Sequence, residues 1–207
     1  MTAPMENPGA TACETSGWYT GSTACTTPSK RRILTHMPFD GGIFLDSRDT
    51  VIAALGAWGV PFELHSHPPA HTIGDCLAMD FITPEVMICK NIFLCNRQQT
   101  QFYLMLIDPN KQFRTAEVSK ELGVSRLSFA PDALLPEMLG LLPGAVSPLG
   151  LLFDREHKIT LVCDKAIREF PRIAFHPCIN TETVIFGRLD FFEKVLPGMG
   201  VSPVWVL

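Results

Sequence analysis

Pro84-Glu85-Val86-Met87-Ile88-Cys89-Lys90-Asn91-Ile92-Phe93-Leu94 is the stretch on which the fold turns. Its apolar run is followed, after a polar turn, by Phe102-Tyr103-Leu104-Met105-Leu106-Ile107. The pair reads as two strands, over 86–94 and 102–107. Lys90 and Asn91 sit side by side within the first. Strand neighbours face opposite sides, so the two cannot both be freely solvated if the strand is central. A lysine turned inward needs an anionic or carbonyl partner. On an edge strand it would instead snorkel to water. The residues alone leave both readings open.

Upstream of this run, Ser47 reads as the cap of a helix over 48–58. Val51, Ile52, Leu55 and Trp58 share one face of it, and Gly59 is the stop. Phe62 and Leu64 alternate with Glu63 and His65, which predicts a short strand. Thr72 with Asp75 has the spacing of a capping box and opens a second helix. Downstream, Thr115 is expected to cap a helix ending at Leu122, with Gly123 beyond it. A strand over 126–129 follows, then a helix opened by Pro131 and ended near Gly140. Further strands are expected over 149–153, 159–163, 173–176 and 183–186, then a helix over 189–195 and a last strand over 204–207. Hairpins mixed with helices in this order predict an α+β, or mixed α/β, domain rather than a doubly wound sheet.

The chain has 207 residues, 46% of them hydrophobic and 18% charged, enough for one domain with a sizeable core. Net charge is -4, which argues against a general nucleic-acid binder with a basic surface. The charge is uneven, however. Residues 90–126 carry six basic and three acidic side chains. Such a patch can hold phosphates without a net basic protein, although an ordinary solvated face would look the same. The seven cysteines are odd in number and form no CxxC pair, so a reducing compartment is expected. Residues 1–12 carry no signal-peptide pattern. Residues 133–153 are long and apolar enough to suggest a membrane span. Their prolines 136, 143 and 148 break it, so a short helix, a loop and a buried strand are expected. Residues 1–43 are read as a flexible extension, with Lys30-Arg31-Arg32 a solvated charge run that could touch RNA. Residues 44–207 form the domain proper.

His65, His67 and His71 are close enough to share a metal, but no Cys, Asp or Glu of ligand spacing joins them. The alternative is a loop with local hydrogen bonds. Gly144-Ala145-Val146-Ser147-Pro148 is a tight turn whose backbone a ligand could approach. His176-Pro177 with Asn180-Thr181 supplies a second polar turn. Neither is specific by itself, and no nucleophile elbow, Walker loop or dinucleotide fingerprint is present.

Taken together, Lys90-Asn91-Ile92-Phe93-Leu94, Arg126-Leu127-Ser128-Phe129-Ala130, the Gly144–Pro148 turn and His176-Pro177 with Asn180-Thr181 are more specific. In this order and spacing they resemble the YbaK/EbsC superfamily, and within it the free-standing bacterial prolyl-tRNA editing group. The resemblance covers about residues 45 to 207 and includes the His67-Pro68 and His71-Thr72 region. It implies an editing-domain fold with a mixed, largely antiparallel sheet and flanking helices. It implies a cytoplasmic deacylase of mischarged tRNA, most of all Ala-tRNA(Pro), working with a positioned water and with no metal or cofactor. Lys90 and Asn91 are the implied catalytic residues. Gly144, Val146, Ser147, Pro148, His176 and Asn180 are the implied pocket, with Ile88 and Leu152 as further wall. Arg126 and Arg97 are the implied contacts to the tRNA acceptor stem. Prolyl-tRNA synthetase is a further candidate partner; DNA and membranes are not expected. Cys-, Ser- or Thr-tRNA deacylation and a non-catalytic RNA-binding role are the alternatives.

Overall fold

A computed structural model describes residues 43–206, with side chains from Ser47 onward. The expected extension lies outside the described residues up to position 42, as does Leu207. The first helix, α1 (Ile43–Ala57), begins before Ser47, so Ser47 is a buried helix residue and not a cap. Val51 and Leu55 bury their side chains, with Ile52 and Trp58 packed beside them, and Gly59 ends the run at φ 64°. Then come β1 (Phe62–Ser66), α2 (Ile73–Leu77), β2 (Val86–Ile88), β3 (Lys90–Cys95) and β4 (Phe102–Ile107). The capping box at α2 forms as expected: Thr72 Oγ1 accepts from the Asp75 N–H at 3.1 Å, and Asp75 accepts from the Thr72 N–H at 2.8 Å.

The run over 86–94 is not one strand. It breaks at Cys89, and its halves join different sheets. β2 pairs in parallel with β7 (Arg172–Phe175), which pairs with β8 (Glu182–Gly187), and β8 with β1, giving the order β1-β8-β7-β2. β3 enters a second sheet of order β5-β3-β4-β6-β9, where β5 is Ser128–Phe129, β6 Ile159–Asp164 and β9 Val204–Val206. Both sheets mix parallel and antiparallel pairs, in keeping with the expected class. Alternation along an apolar run shows which residues share a face, but not which sheet the strand joins. That is why the break is invisible in the sequence.

β4 explains the layering. All six of its residues are buried. Phe102, Leu104 and Leu106 enter the main core, while Tyr103, Met105 and Ile107 enter a second core beneath α3 (Thr115–Leu122). A strand covered on both faces reads as a continuous apolar run. In the first sheet, the rings of Phe175, Phe186 and Phe191 lie 5.0 to 6.1 Å apart. They tie β7 and β8 to a helical run of α5 (Arg188–Asp190), a π-helical stretch (Phe191–Val195) and α6 (Leu196–Gly198).

Three further expectations are corrected. Thr115 is the first residue of α3 rather than its cap; Arg114 holds that position without capping it through its side chain. The strand over 126–129 shrinks to Ser128–Phe129, because the Leu127 N–H is taken by Ser119 Oγ at 2.9 Å and leaves the ladder. The strand over 149–153 is a 3₁₀ helix, Pro148–Phe153, following α4 (Leu135–Leu139). Ser147 Oγ caps it through the Leu149 N–H at 3.2 Å, and Pro148 supplies the preset φ of a first turn. Gly150 lets it lie on α4, since a Cβ there would stand 2.7 Å from the Leu139 carbonyl oxygen. Among the described residues no helix is long and apolar enough to cross a membrane.

Candidate active site

Where the chain passes from β2 to β3, a cavity of about 390 Å³ opens. Ile88, Cys89, Lys90 and Asn91 all line it, so the crossing between sheets is itself a wall. Lys90 is half-buried. β5 pairs only with Leu94 and Cys95, which leaves the Lys90 end of β3 open on that side. The Lys90 ammonium donates to the Lys111 carbonyl at 3.2 Å, the carbonyl partner that an inward lysine requires. Lys111 is held in turn by the fully buried Asp164, at 2.7 Å. Asp164 also accepts from the N–H groups of Asp108 at 3.3 Å and Ala166 at 2.9 Å. One buried carboxylate therefore fixes the loop on which Lys90 rests.

Asn91 points to the opposite face of β3. Its Nδ2 donates to the Val146 carbonyl at 2.8 Å. Its Oδ1 is buried and has no hydrogen-bond partner among the described residues. An acceptor left in that state is costly unless something donates to it, about 1–3 kcal/mol. Gly144 and Val146 line the cavity across from Asn91. Gly144 has φ 87°, a conformation that L side chains rarely adopt. Ser147 and Pro148 are buried behind the turn and do not line the cavity. Asn180 also stands behind it, donating to the Ala70 carbonyl at 3.4 Å. Leu152 packs on the main core, away from the wall expected of it.

His176 closes the other side together with residues that the sequence did not mark: Ile73 and Cys76 of α2, Ala174 of β7 and Thr183 of β8. His176 Nδ1 lies 2.8 Å from the Glu182 carbonyl. A carbonyl can only accept, so Nδ1 carries the proton and the neutral ring's Nε2 is an acceptor. Cys76 Sγ stands 3.8 Å from that Nε2. Arg48 grips the Glu182 carboxylate at 2.8 and 3.2 Å and steadies this corner. His67 Nδ1 is 2.8 Å from the Pro68 carbonyl, so its Nε2 accepts from the Thr183 hydroxyl at 3.0 Å.

Burial holds the His176 ring below the ordinary histidine value of 6.5; the bond to Glu182 opposes this and His67 adds to it. Burial pushes the Cys76 thiol up, with Asp75 adding to it. The pair is thus a neutral thiol beside a neutral imidazole, not a thiolate-imidazolium nucleophile. For His176 the folded pKa is depressed. Below pH 6.5 the unfolded chain takes up a proton at this ring before the folded chain does, so its contribution to stability is full above 6.5 and is lost on acidification. Urea unfolding of the wild type and of His176→Gln should therefore converge as pH is lowered from about 7 to about 5. Parallel curves over that interval would show that the ring titrates normally.

Of the other two histidines in the expected cluster, both have local contacts and His71 also lines the cavity. His65 Nε2 meets Glu63 at 3.3 Å and its ring stacks on Phe81, while the His71 backbone N–H goes to Asp75 at 3.0 Å. Among the described residues no three His, Cys, Asp or Glu side chains converge to hold a metal. Arg97 and Arg126 come together in a separate depression with Gln98, Ser125, Leu127 and Ser128. It lies beyond the far end of β3. Lys90 and Cys95 at the two ends of that strand are about 17 Å apart at roughly 3.3 Å per residue.

Two mixed sheets with flanking helices make a fold shared with solved tRNA editing domains. A solved structure of a candidate trans-editing enzyme for prolyl tRNA synthetase matches with a TM-score of 0.58 at 16% identity, over 76% of this chain and 94% of that one. The chain belongs to the aminoacyl-tRNA editing domain family, whose model matches residues 67–193. It is thereby an enzyme of the aminoacyl-tRNA deacylase class. Prolyl-tRNA editing protein ProX of Acetoanaerobium sticklandii is 31% identical over 156 residues, 75% of this chain and 94% of that protein. Multifunctional Ser/Thr-tRNA deacylase ProXp-y of Escherichia coli K12 is 25% identical over 155 residues, 71% of this chain and 87% of that protein.

Proposed function

We propose that the protein is a trans-editing hydrolase that removes alanine from mischarged tRNA(Pro), using a positioned water. The observation that carries this reading is the composition of the cavity wall. The Lys90 and Asn91 side chains share one cavity with a small apolar end made by Ile73, Ile88 and Ala174. A methyl side chain suits the apolar end. Asn91, by holding the Val146 carbonyl, fixes the turn against which the attacking water is positioned, and Lys90 stabilises the oxygen charge that develops at the ester carbonyl. Arg97 and Arg126 then hold acceptor-stem phosphates away from the chemistry. The 31%-identical relative, named as a prolyl-tRNA editing protein, supports the choice of tRNA. Such work belongs to the cytoplasm.

Editing of this kind is needed because a synthetase pocket shaped for proline gains only about 1–3 kcal/mol against a smaller side chain. The second site works the other way and excludes the larger one. Single-turnover hydrolysis of Ala-tRNA(Pro) is expected to exceed that of Pro-tRNA(Pro) by at least about tenfold. His176→Ala should narrow that ratio by opening the wall. Equal wild-type rates on the two esters would remove the size filter, and an unchanged ratio in the variant would take His176 out of it. Ser- and Thr-tRNA form the second reading, favoured by the relative named as a Ser/Thr-tRNA deacylase.

A further inference from the structure

We propose that Cys76 is a specificity-determining residue: its thiol occupies the Nε2 acceptor of His176 and so makes the wall favour a methyl side chain over a hydroxyl. The inference rests on the reading of the cavity as an aminoacyl-ester pocket and decides between its two substrate classes. The geometry fixes each proton in turn. The Glu182 carbonyl at 2.8 Å holds the His176 proton on Nδ1. Thr183 Oγ1 also lies 3.4 Å from that Nδ1. Its own proton is committed to His67 Nε2 at 3.0 Å, because His67 Nδ1 gives its proton to the Pro68 carbonyl at 2.8 Å. Thr183 can thus only accept from His176, and the tautomer is set from two sides. Nε2 is left as a bare acceptor, and the Cys76 thiol 3.8 Å away is its partner.

Thiols are weak donors. Cys76 is held by the short helix α2, against Ile88, Ala174 and Ala70 of the small core cluster under the cavity, so the thiol has little room to leave. Burial of the thiol keeps its proton in place. An alanyl ester brings no side-chain donor and leaves the thiol–imidazole contact intact. A seryl ester brings a hydroxyl that finds the acceptor already taken, and its own donor is left unpaired in a desolvated pocket. The α-ammonium is common to both esters and cancels in their ratio. Taking the thiol away bares Nε2, and the seryl hydroxyl becomes its natural partner.

The test is single-turnover deacylation of Ala and Ser esters on the same tRNA by the full chain and three variants. Cys76→Ala removes the donor, Cys76→Ser keeps one at nearly the same small volume, and Cys76→Val removes it while adding bulk. Wild type and Cys76→Ser should favour alanine. Cys76→Ala and Cys76→Val should both raise the serine-to-alanine ratio, by about tenfold, the worth of one buried hydrogen bond. If Cys76→Val proves unfolded, the contrast of Cys76→Ala with Cys76→Ser decides alone. Equal ratios in those two variants, or opposite shifts in Cys76→Ala and Cys76→Val, would make volume the determinant and overturn the proposal. A wild-type chain that hydrolyses alanine, with no shift in any variant, overturns it while sparing the deacylase reading. A wild-type chain inert on both esters overturns both.

Discussion

Lys90→Ala is expected to lower single-turnover deacylation by at least about 100-fold while the chain stays folded. Removing one preorganised group that meets developing charge costs about 10²–10³ in rate. The structural loss is small by comparison. Lys90 is half-buried at an open strand end, and its ammonium bonds the Lys111 carbonyl. A single hydrogen bond from a charged group contributes about 1.5–3 kcal/mol at most, within the 5–15 kcal/mol of a typical domain. Circular dichroism and turnover on the same preparation separate the two effects. A folded Lys90→Ala protein with wild-type turnover would remove Lys90 from the chemistry.

Asp164→Ala should have the largest effect on stability, about 3–5 kcal/mol. The side chain is fully buried and receives three donors: the Lys111 ammonium and the N–H groups of Asp108 and Ala166. The bond from the Ala166 N–H is at the same time the cap of the 3₁₀ helix Lys165–Glu169. Loss of a cap costs about 1 kcal/mol, and stranded buried donors cost about 1–3 kcal/mol each. Asp164→Asn keeps the shape and an acceptor oxygen and should lose less. The rate should fall in the fraction that remains folded, because Lys111 presents the carbonyl on which Lys90 rests. Urea midpoints equal to wild type in Asp164→Ala would show that this carboxylate does not hold the loop.

The sequence was informative where local chemistry decides and silent where distance does. Lys90, Asn91, Gly144, Val146 and His176 were marked by motif, and all five line one cavity. The capping box at Thr72 and Asp75 was readable because its partners lie three residues apart. Cys76, Thr183 and Ile73 were not marked. Cys76 and His176 are 100 positions apart, and no periodicity on α2 points at a residue after β7. The change of sheet at Cys89 was hidden for a related reason, since β2 finds its partner in β7, over eighty residues later. The 3₁₀ helix at Pro148 reads as a strand in the sequence because an apolar run of that length fits either, and the contact that decides it is Gly150 against Leu139.

The start of β3 has a consequence for how change elsewhere in the molecule reaches the reaction. A sheet ordinarily insulates its two faces, each with its own layer of packed side chains. Lys90 shares its face with Ile92 and Leu94, over the core beneath α3; Asn91 shares the other with Phe93 and Cys95, over the main core. Only at the strand's first two residues do both faces border a single cavity. Drift in either layer is thus transmitted to the cavity from its own side, the one through the cation and the other through the amide. A repacking that shifts one face can be offset by a change on the other, between residues that never touch. Compensating pairs in such a molecule would be sought across the sheet rather than within a layer.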